Sequence, residues 1–301
     1  MNKWIRRGCV SLVVLAAGLT VAVSAAVMYS NVKRERVVEI KPYPLALRDD
    51  AQSIERGRYL YASRGCADCH GADGAGRSFI NDGNGMHVAG PNISPGAGNV
   101  VANYKPADWE RTIRHGVKPD GRPLLIMPSE DYNRLTDEDL AALVAYVRHL
   151  PPAAGQGAIL ELPVPVRALY ALGVVKDAAE RIDHSLPVQQ PVAEGVTVEH
   201  GAYVVNMCKG CHGEGLSGGK IPGAPPDWPA AANLTPGEGS TMPQYASAET
   251  FIAMFRTGKR PDGSTISKVM PFDALGKFSE TDMRALHLYL QGVPARAYGG
   301  R

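Results

Sequence analysis

The sequence has almost no net charge: over 301 residues, 32 Lys and Arg stand against 30 Asp and Glu, leaving +2. It therefore lacks the concentrated basic balance with which a chain grips nucleic acid, and that class is excluded. No stretch alternates apolar and polar residues long enough to suggest a β-strand. About 7 residues precede the first apolar run, which leaves no room there for an attached signalling domain of the kind a sensor needs. Cys9, in that run, has no Leu-Ala-Gly before it, so it reads as an inert apolar residue and not as a lipid anchor. Gly (33) and Pro (23) are plentiful, which suits compact domains with much loop rather than a sheet-rich or coiled-coil protein. The length accommodates two ordinary domains with connections.

The five cysteines are the informative residues. Cys66, Cys69, Cys208 and Cys211 fall in two copies of Cys-x-x-Cys-His, completed by His70 and His212. In this pentapeptide two thiols bond the two vinyl groups of a haem while the adjoining imidazole ligates iron from one side; the spacing is short because vinyls and iron belong to one rigid macrocycle. A zinc site would want four protein ligands nearby, and a thioredoxin-like pair would want a βαβ setting. Neither pattern is present.

Self-comparison extends the duplication well beyond the cysteines. Gly57-Arg-Tyr59 returns as Gly201-Ala-Tyr203, and Asn92-Ile-Ser-Pro95 as Asn233-Leu-Thr-Pro236. Ile113-Arg-His-Gly116 returns as Phe255-Arg-Thr-Gly258, Pro119-Asp-Gly121 as Pro261-Asp-Gly263, and Met127-Pro128 as Met270-Pro271. The offset stays between 141 and 144 residues, so a whole domain is duplicated. Each copy ends on a helix opened by a capping box, Thr136 with Asp139 and Ser279 with Asp282, in which the acid reaches back to the cap. Leu140, Leu143, Val144 and Val147 then form one apolar face, as do Met283, Leu286, His287 and Leu290, before Pro151 and Pro294 stop the helices. Further helices are expected at 52–63, 107–115, 198–207 and 248–257.

The matched spacing singles out Met127 and Met270, 57 and 58 residues after their histidines, as second iron ligands. Met86 and Met242 compete, but neither has a counterpart in the other copy. Met28, Met207, Met254 and Met283 read as packing. His115 is replaced by Thr257 in the second copy, which suits a role away from iron. Arg114 and Arg256 are paired across the repeat and suit either haem propionates or a solvated helix face. Trp109, facing Phe251 in the repeat, reads mainly as core. Pro91 and Asn92 are expected to turn a carbonyl toward His70 and fix its tautomer; Ala232-Asn233, with Pro225, Pro226 and Pro229 upstream, does not repeat the pattern cleanly.

The uncharged run from Gly8 to Asn31 exceeds the apolar core of a signal peptide and approaches a bilayer span. An uncleaved anchor is expected; cleavage, with Val23 and Ala25 as the small pair, is the alternative. Lys3, Arg6 and Arg7 are balanced by Lys33, Arg34 and Arg36, so charge alone leaves the orientation a near tie.

The helix glycine, the Cys-x-x-Cys-His, the downstream Met-Pro and the last-helix aromatics Tyr146 and Tyr289 together resemble class I cytochromes c. The run 162–170, followed by His-Gly-Ala-Tyr203, is similar to the cytochrome c subunits of membrane-bound periplasmic dehydrogenases acting on alcohols, aldehydes or sugar acids, which often carry three haem domains. The resemblance implies an all-α fold of two tandem class I cytochrome c-like domains after an N-terminal transmembrane helix. The expected units are 1–31 (anchor), 32–48 (spacer), 49–152 (domain 1), 153–195 (Pro-rich linker with one short helix within 166–182) and 196–298 (domain 2). It further implies two haem c groups held by Cys66, Cys69, Cys208 and Cys211, with axial His70, Met127, His212 and Met270. The implied protein sits in the bacterial inner membrane, with its haem domains in the periplasm where such haems are attached. It is no enzyme in itself, and passes single electrons from a periplasmic dehydrogenase to an oxidase or another cytochrome. A di-haem enzyme, peroxidase-like or thiosulfate-oxidising, is the alternative; it needs an open or thiolate-ligated iron, against which the matched Met-Pro loops and the lack of a spare exported cysteine both argue.

Overall fold

A computed structural model describes residues 3–225 and 227–300; Met1, Asn2 and Arg301, and Pro226 of the proline group above, lie outside the described residues. The first helix, α1 (Lys3–Glu35), leads through an extended spacer into α2 (Ala51–Ser63) and α3 (Cys66–His70). Strands β1 (Arg77–Asn81) and β2 (His87–Gly90) follow, then α4 (Pro106–His115), α5 (Ser129–Tyr132) and α6 (Asp137–Arg148). The connecting segment carries β3 (Ile159–Glu161), α7 (Val164–Ala171) and α8 (Ala178–Arg181). The second half repeats the helices of the first as α9 (Val198–Val204), α10 (Asn206–His212), α11 (Ala248–Thr257), α12 (Phe272–Leu275) and α13 (Glu280–Gly292). The fold is thus mostly helical.

Two apolar clusters hold these elements, one centred on Leu60, Leu140 and Val144, the other on Val204, Met283 and Leu286. The expected faces of both closing helices are buried in full, from Leu140 to Val147 and from Met283 to Leu290. Each buried aliphatic side chain contributes about 1.5–3 kcal/mol. In both halves the first helix crosses the last at a glycine. A Cβ on Gly57 would run into the Ala142 carbonyl, and one on Gly201 into the Ala285 carbonyl. Only glycine permits this approach, which explains the Gly-x-Tyr pair of the repeat.

The fold departs from the all-α expectation in one place. β1, β2 and β3 form a three-stranded antiparallel sheet in that order, with Ser78 opposite Ala89 and Val88 opposite Leu160. The hairpin turns on Asp82, whose Oδ1 accepts from the amides of Asn84 (2.7 Å) and Met86 (3.0 Å), an Asx-type turn. The strands are short and their third member comes from the linker, so neither length nor periodicity signals them. The linker also differs from expectation: its single helix is two, α7 and α8, broken after Leu172 where Gly173 takes φ 76°.

Candidate haem cavity

Each Cys-x-x-Cys-His forms a short helix ending at its histidine, on a glycine whose amide bonds back to the preceding turn: Gly71 N to Ala67 O at 2.9 Å, and Gly213 N to Lys209 O at 2.8 Å. The histidine side chains are fixed the same way. His70 Nδ1 lies 2.9 Å from the Pro91 carbonyl, and His212 Nδ1 lies 2.8 Å from the Ala232 carbonyl. A carbonyl only accepts, so Nδ1 carries the proton in both rings and Nε2 presents its lone pair, the form an imidazole ligand requires. Burial opposes protonation of His70, against the carbonyl bond that favours it. The expectation for Pro91 holds, and the doubt about Ala232 is corrected: the same bond recurs without the proline. What conserves it is Asn92 and its counterpart Asn233. Their Oδ1 atoms each accept from an amide two residues on (Ser94 and Thr235, both 2.9 Å), locking the carbonyl that precedes them.

Both histidines open into one cavity of about 910 Å³ that runs between the halves. Its walls include Cys66, Cys69, Cys208 and Cys211, and also Met127 and Met270. Met86 and Met242 are not on that wall: Met86 closes the β1–β2 turn, and Met242 is buried in the second core. Met207 and Met254, read from sequence as packing, do line the cavity. Trp109, Leu143 and Val147 face it from the first half, and Phe251, Phe255 and Leu286 from the second. The sheet supplies another wall through Val88, Ala89 and Leu160.

The thiols are not poised for other chemistry. Burial pushes the Cys66 and Cys208 thiols up to about 12 and Cys69 to about 11, whereas a reactive or zinc-binding cysteine is a thiolate near neutrality. Cys66, Cys69 and Cys208 form no disulfide. Among the described residues, no three His, Cys, Asp or Glu side chains converge to hold a bare metal ion. Neutral thiols one helical turn apart, an oriented imidazole and an apolar wall fit a flat macrocycle bonded at two edges.

Arg114 and Arg256 do not serve the cavity. Arg114 Nη2 donates to Leu135 O (2.9 Å) and Asp137 (3.0 Å). Arg256 donates to Gly276 O and to Phe278 O, the latter at 3.1 Å. Leu135 and Phe278 are repeat equivalents, so this arginine pair ties down the segment between Met-Pro and the last helix. The cations on the cavity wall are instead Arg34, Arg64, Lys118, Arg122 and Arg260; of these, Lys118 and Arg260 occupy matching positions ahead of the repeated Pro-Asp-Gly turn, a signal the repeat contained. His115 stays away from the cavity, bonded to Glu110 (3.1 Å) and His184 (2.9 Å).

Sequence reasoning missed the joint between the halves. The hydroxyls of Thr136 and Ser279 cap their helices as expected, but the acids do not reach back to them. Instead a tyrosine from the opposite half is inserted. Tyr59 Oη donates to Asp282 (2.5 Å) and accepts from the Ser279 amide (3.0 Å). Tyr203 Oη donates to Asp139 (2.7 Å) and accepts from the Thr136 amide (3.3 Å). Each aspartate also holds a side chain from its own half, Arg56 on Asp139 (2.8 Å) and the His200 ring on Asp282 (2.7 Å). The joint is a pseudo-two-fold in which like elements exchange.

Comparison with known proteins places these features in context. Residues 52–147 match the family described as cytochrome c oxidase, cbb3-type, subunit III. Over 272 residues the chain is 30% identical to the fructose dehydrogenase cytochrome subunit of Gluconobacter japonicus, covering 83% of this chain and 54% of that one. It is 27% identical to the gluconate 2-dehydrogenase cytochrome c subunit of Pantoea cypripedii, covering 85% and 56%. The cytochrome c subunit of a quinone alcohol dehydrogenase from Gluconobacter oxydans is 25% identical, covering 82% and 56%. The chain therefore spans about half the length of these relatives.

Proposed function

This chain belongs to the cytochrome c family, and on that premise we propose that it carries two covalent haems in tandem domains and relays single electrons for a membrane dehydrogenase. The observation that carries the proposal is the duplicated geometry: in each half two thiols, an imidazole with Nδ1 tied to a carbonyl, and a Met-Pro methionine face one cavity. Cys66 and Cys69, and Cys208 and Cys211, would hold the two macrocycles; His70 with Met127, and His212 with Met270, would supply the axial pairs. Bound haem provides a one-electron iron couple, and His/Met ligation raises its potential. The protein's share is placement. The carbonyls of Pro91 and Ala232 keep Nε2 aimed, the apolar walls exclude water, and Lys118 and Arg260 offer positive charge to carboxylate arms.

With His70 and Met127, and His212 and Met270, as ligands, neither iron would keep an open position for a small substrate, which favours a relay over a peroxidase-like or thiosulfate-oxidising enzyme. The relatives are named as cytochrome subunits of fructose, gluconate and alcohol dehydrogenases, so the donor proposed is the catalytic subunit of such a complex, and the acceptor an oxidase or another cytochrome. Helix α1 is the proposed anchor in the bacterial inner membrane, with the domains in the periplasm. Its length and hydropathy suffice to cross a bilayer, and its C-terminal end is bound to the linker through Lys33–Glu180 (2.9 Å) and, one residue past the helix, Arg36–Asp177 (2.6 Å).

The test is the mass and the resting spectrum of the purified full-length protein. Two covalent haems, both low-spin and unreactive toward carbon monoxide, are expected. One haem refutes the count, and a resting high-spin haem with turnover of peroxide or thiosulfate moves the protein to the enzyme class.

A further inference from the structure

The segment from Leu162 to Val175 contains one charged residue, Arg167, and the electron-relay reading gives it no task. Its helix α7 packs along the end of α1. On α1 every residue from Cys9 to Ala22 is exposed, whereas Val23, Ala26, Val27, Ser30, Lys33 and Arg34 are covered, at the three-and-four spacing of one helical face. Arg167 Nη2 reaches Asn31 Oδ1 (3.0 Å) and the Val27 carbonyl (3.4 Å), and Lys33 Nζ reaches the Tyr170 carbonyl (3.0 Å). That face of α7 is therefore committed to α1. The other face is apolar and uncovered: Val164 is 47% exposed, Leu169 40%, Leu172 73% and, just beyond the helix, Val174 56%. Pro165, Leu169 and Leu172 lie four and three apart, so they share that face.

Position identifies what covers it. The 33 residues of α1 extend about 50 Å, against roughly 30 Å of bilayer hydrocarbon. The surplus lies at its two charged ends, and α7 is bonded to α1 at the C-terminal one, between Val27 and Lys33, where the apolar run gives way to Lys33, Arg34 and Glu35. At that level α1 also exposes apolar side chains of its own, Met28, Tyr29 and Val32. We propose that α7 and the Leu172–Val174 turn are seated in the outer lipid interface beside α1, as an in-plane apolar foot that sets the height and tilt of the cavity above the membrane. This rests on the anchor reading of α1. The foot joins the cavity directly, since Arg34, Glu35 and Tyr170 all border it. A single-helix tether leaves a domain free to swing; a tether with a second apolar contact fixed to it by Lys33 and Arg36 does not.

The experiment uses the full-length holoprotein in nanodiscs of phosphatidylcholine, with or without acyl-chain bromination, which quenches a fluorophore only on contact. A bimane is placed at Leu172→Cys, at Leu12→Cys within α1, and at Leu288→Cys on α13, each in a Cys9→Ser background. Emission at positions 12 and 172 is expected to fall about two-fold on bromination, with position 288 unchanged. The ratio between the two lipids cancels any quenching by haem. Quenching at 12 but not at 172 overturns the foot and leaves the anchor standing. No quenching at 12 overturns both. A position 172 that ignores bromination and responds only when a dehydrogenase preparation is added overturns the lipid assignment in favour of a protein partner.

Discussion

The two halves hold their histidines with the same bonds but are clothed differently. In the first, the sheet, the linker and α8 wrap the outside, and His115 of α4 is bonded to His184 of the linker. In the second, the hairpin is replaced by a proline-rich loop with a bridge from Gly219 to Ala231; Trp228 on that loop is 41% exposed and Cys211 is exposed. Duplication thus preserved what orients a ligand, namely the Nδ1–carbonyl bond, the Asn turn and the Met-Pro position, and left the shielding free to diverge. If the proposed relay is right, the less covered half is the one expected to exchange electrons faster with an external donor.

The comparison breaks hardest at the cysteines. Replacing Cys66 and Cys69 by Ala should remove one haem and leave the spectrum of the second half; replacing Cys208 and Cys211 should leave that of the first. Pyridine haemochrome and intact mass check the count. Reduction of the protein by an external donor should slow more in the second variant, and equal slowing would dismiss the second half as the exchange face.

The joint supplies the next test. Arg64 reaches Asp282 across the interface at 3.1 Å with both side chains buried, whereas Arg56 holds Asp139 partly in solvent. Arg64→Met should cost about 3–5 kcal/mol in denaturant unfolding by stranding a buried charge. Arg56→Met should cost about 1–2 kcal/mol, because water replaces part of what is lost. Burial alone would raise the Asp282 carboxyl, but the His200 bond, the Arg64 charge and the Tyr59 bond outweigh it and hold the carboxyl well below the usual range. A depressed carboxyl stabilises the fold above its unfolded pKa and loses that stabilisation as pH falls, so unfolding should become easier below about pH 4.

A smaller effect tests the pseudo-two-fold itself. Tyr59→Phe and Tyr203→Phe each remove a buried hydroxyl that bridges an amide to a carboxylate, and each should cost about 1–2 kcal/mol. Chemical denaturation of the pair would break the symmetry argument if one cost nothing.

A pH-dependent test concerns Asp131, where the halves also differ: its repeat position holds Ala274. Asp131 lies so close to Gly210 of the second motif that any Cβ there would collide with it. Burial, and then the charge of Glu130, push its carboxyl up to about 8. The folded state then keeps a proton the unfolded state releases, so stability should fall as pH rises from about 4 toward 8. Asp131→Asn should remove that fraction of the slope, read from unfolding midpoints at pH 5 and pH 8, and an unchanged slope would remove Asp131 from the account.

Much of this was legible in the chain because the signals are local. The Cys-x-x-Cys-His spacing, the matched Met-Pro, the i, i+3, i+4 faces of both closing helices and the apolar length of α1 each depend on residues near one another in sequence. The hairpin was not legible, because its strands are short and Asp82, not alternation, makes the turn. The capping boxes were half legible: the hydroxyl bond is local, but the destination of the acid is not. Arg114 and Arg256 were visible as a pair, with haem propionates and a solvated face both open; Arg256 is exposed on its helix, whereas Arg114 is buried on a carbonyl.

Sequence alone, then, singled out the repeated Cys-x-x-Cys-His and Met-Pro residues, since the covalent attachment and iron ligation proposed for them tolerate only a few spacings. Tertiary structure alone decided that the two histidines share one cavity, that Tyr59 and Tyr203 cross to the opposite half, and that α7 lies against the end of α1. The physical reason is range. A helix face or a ligand spacing is fixed within one or two turns, whereas a tyrosine meeting an aspartate more than 200 residues away, as Tyr59 meets Asp282, is fixed only once both cores have packed.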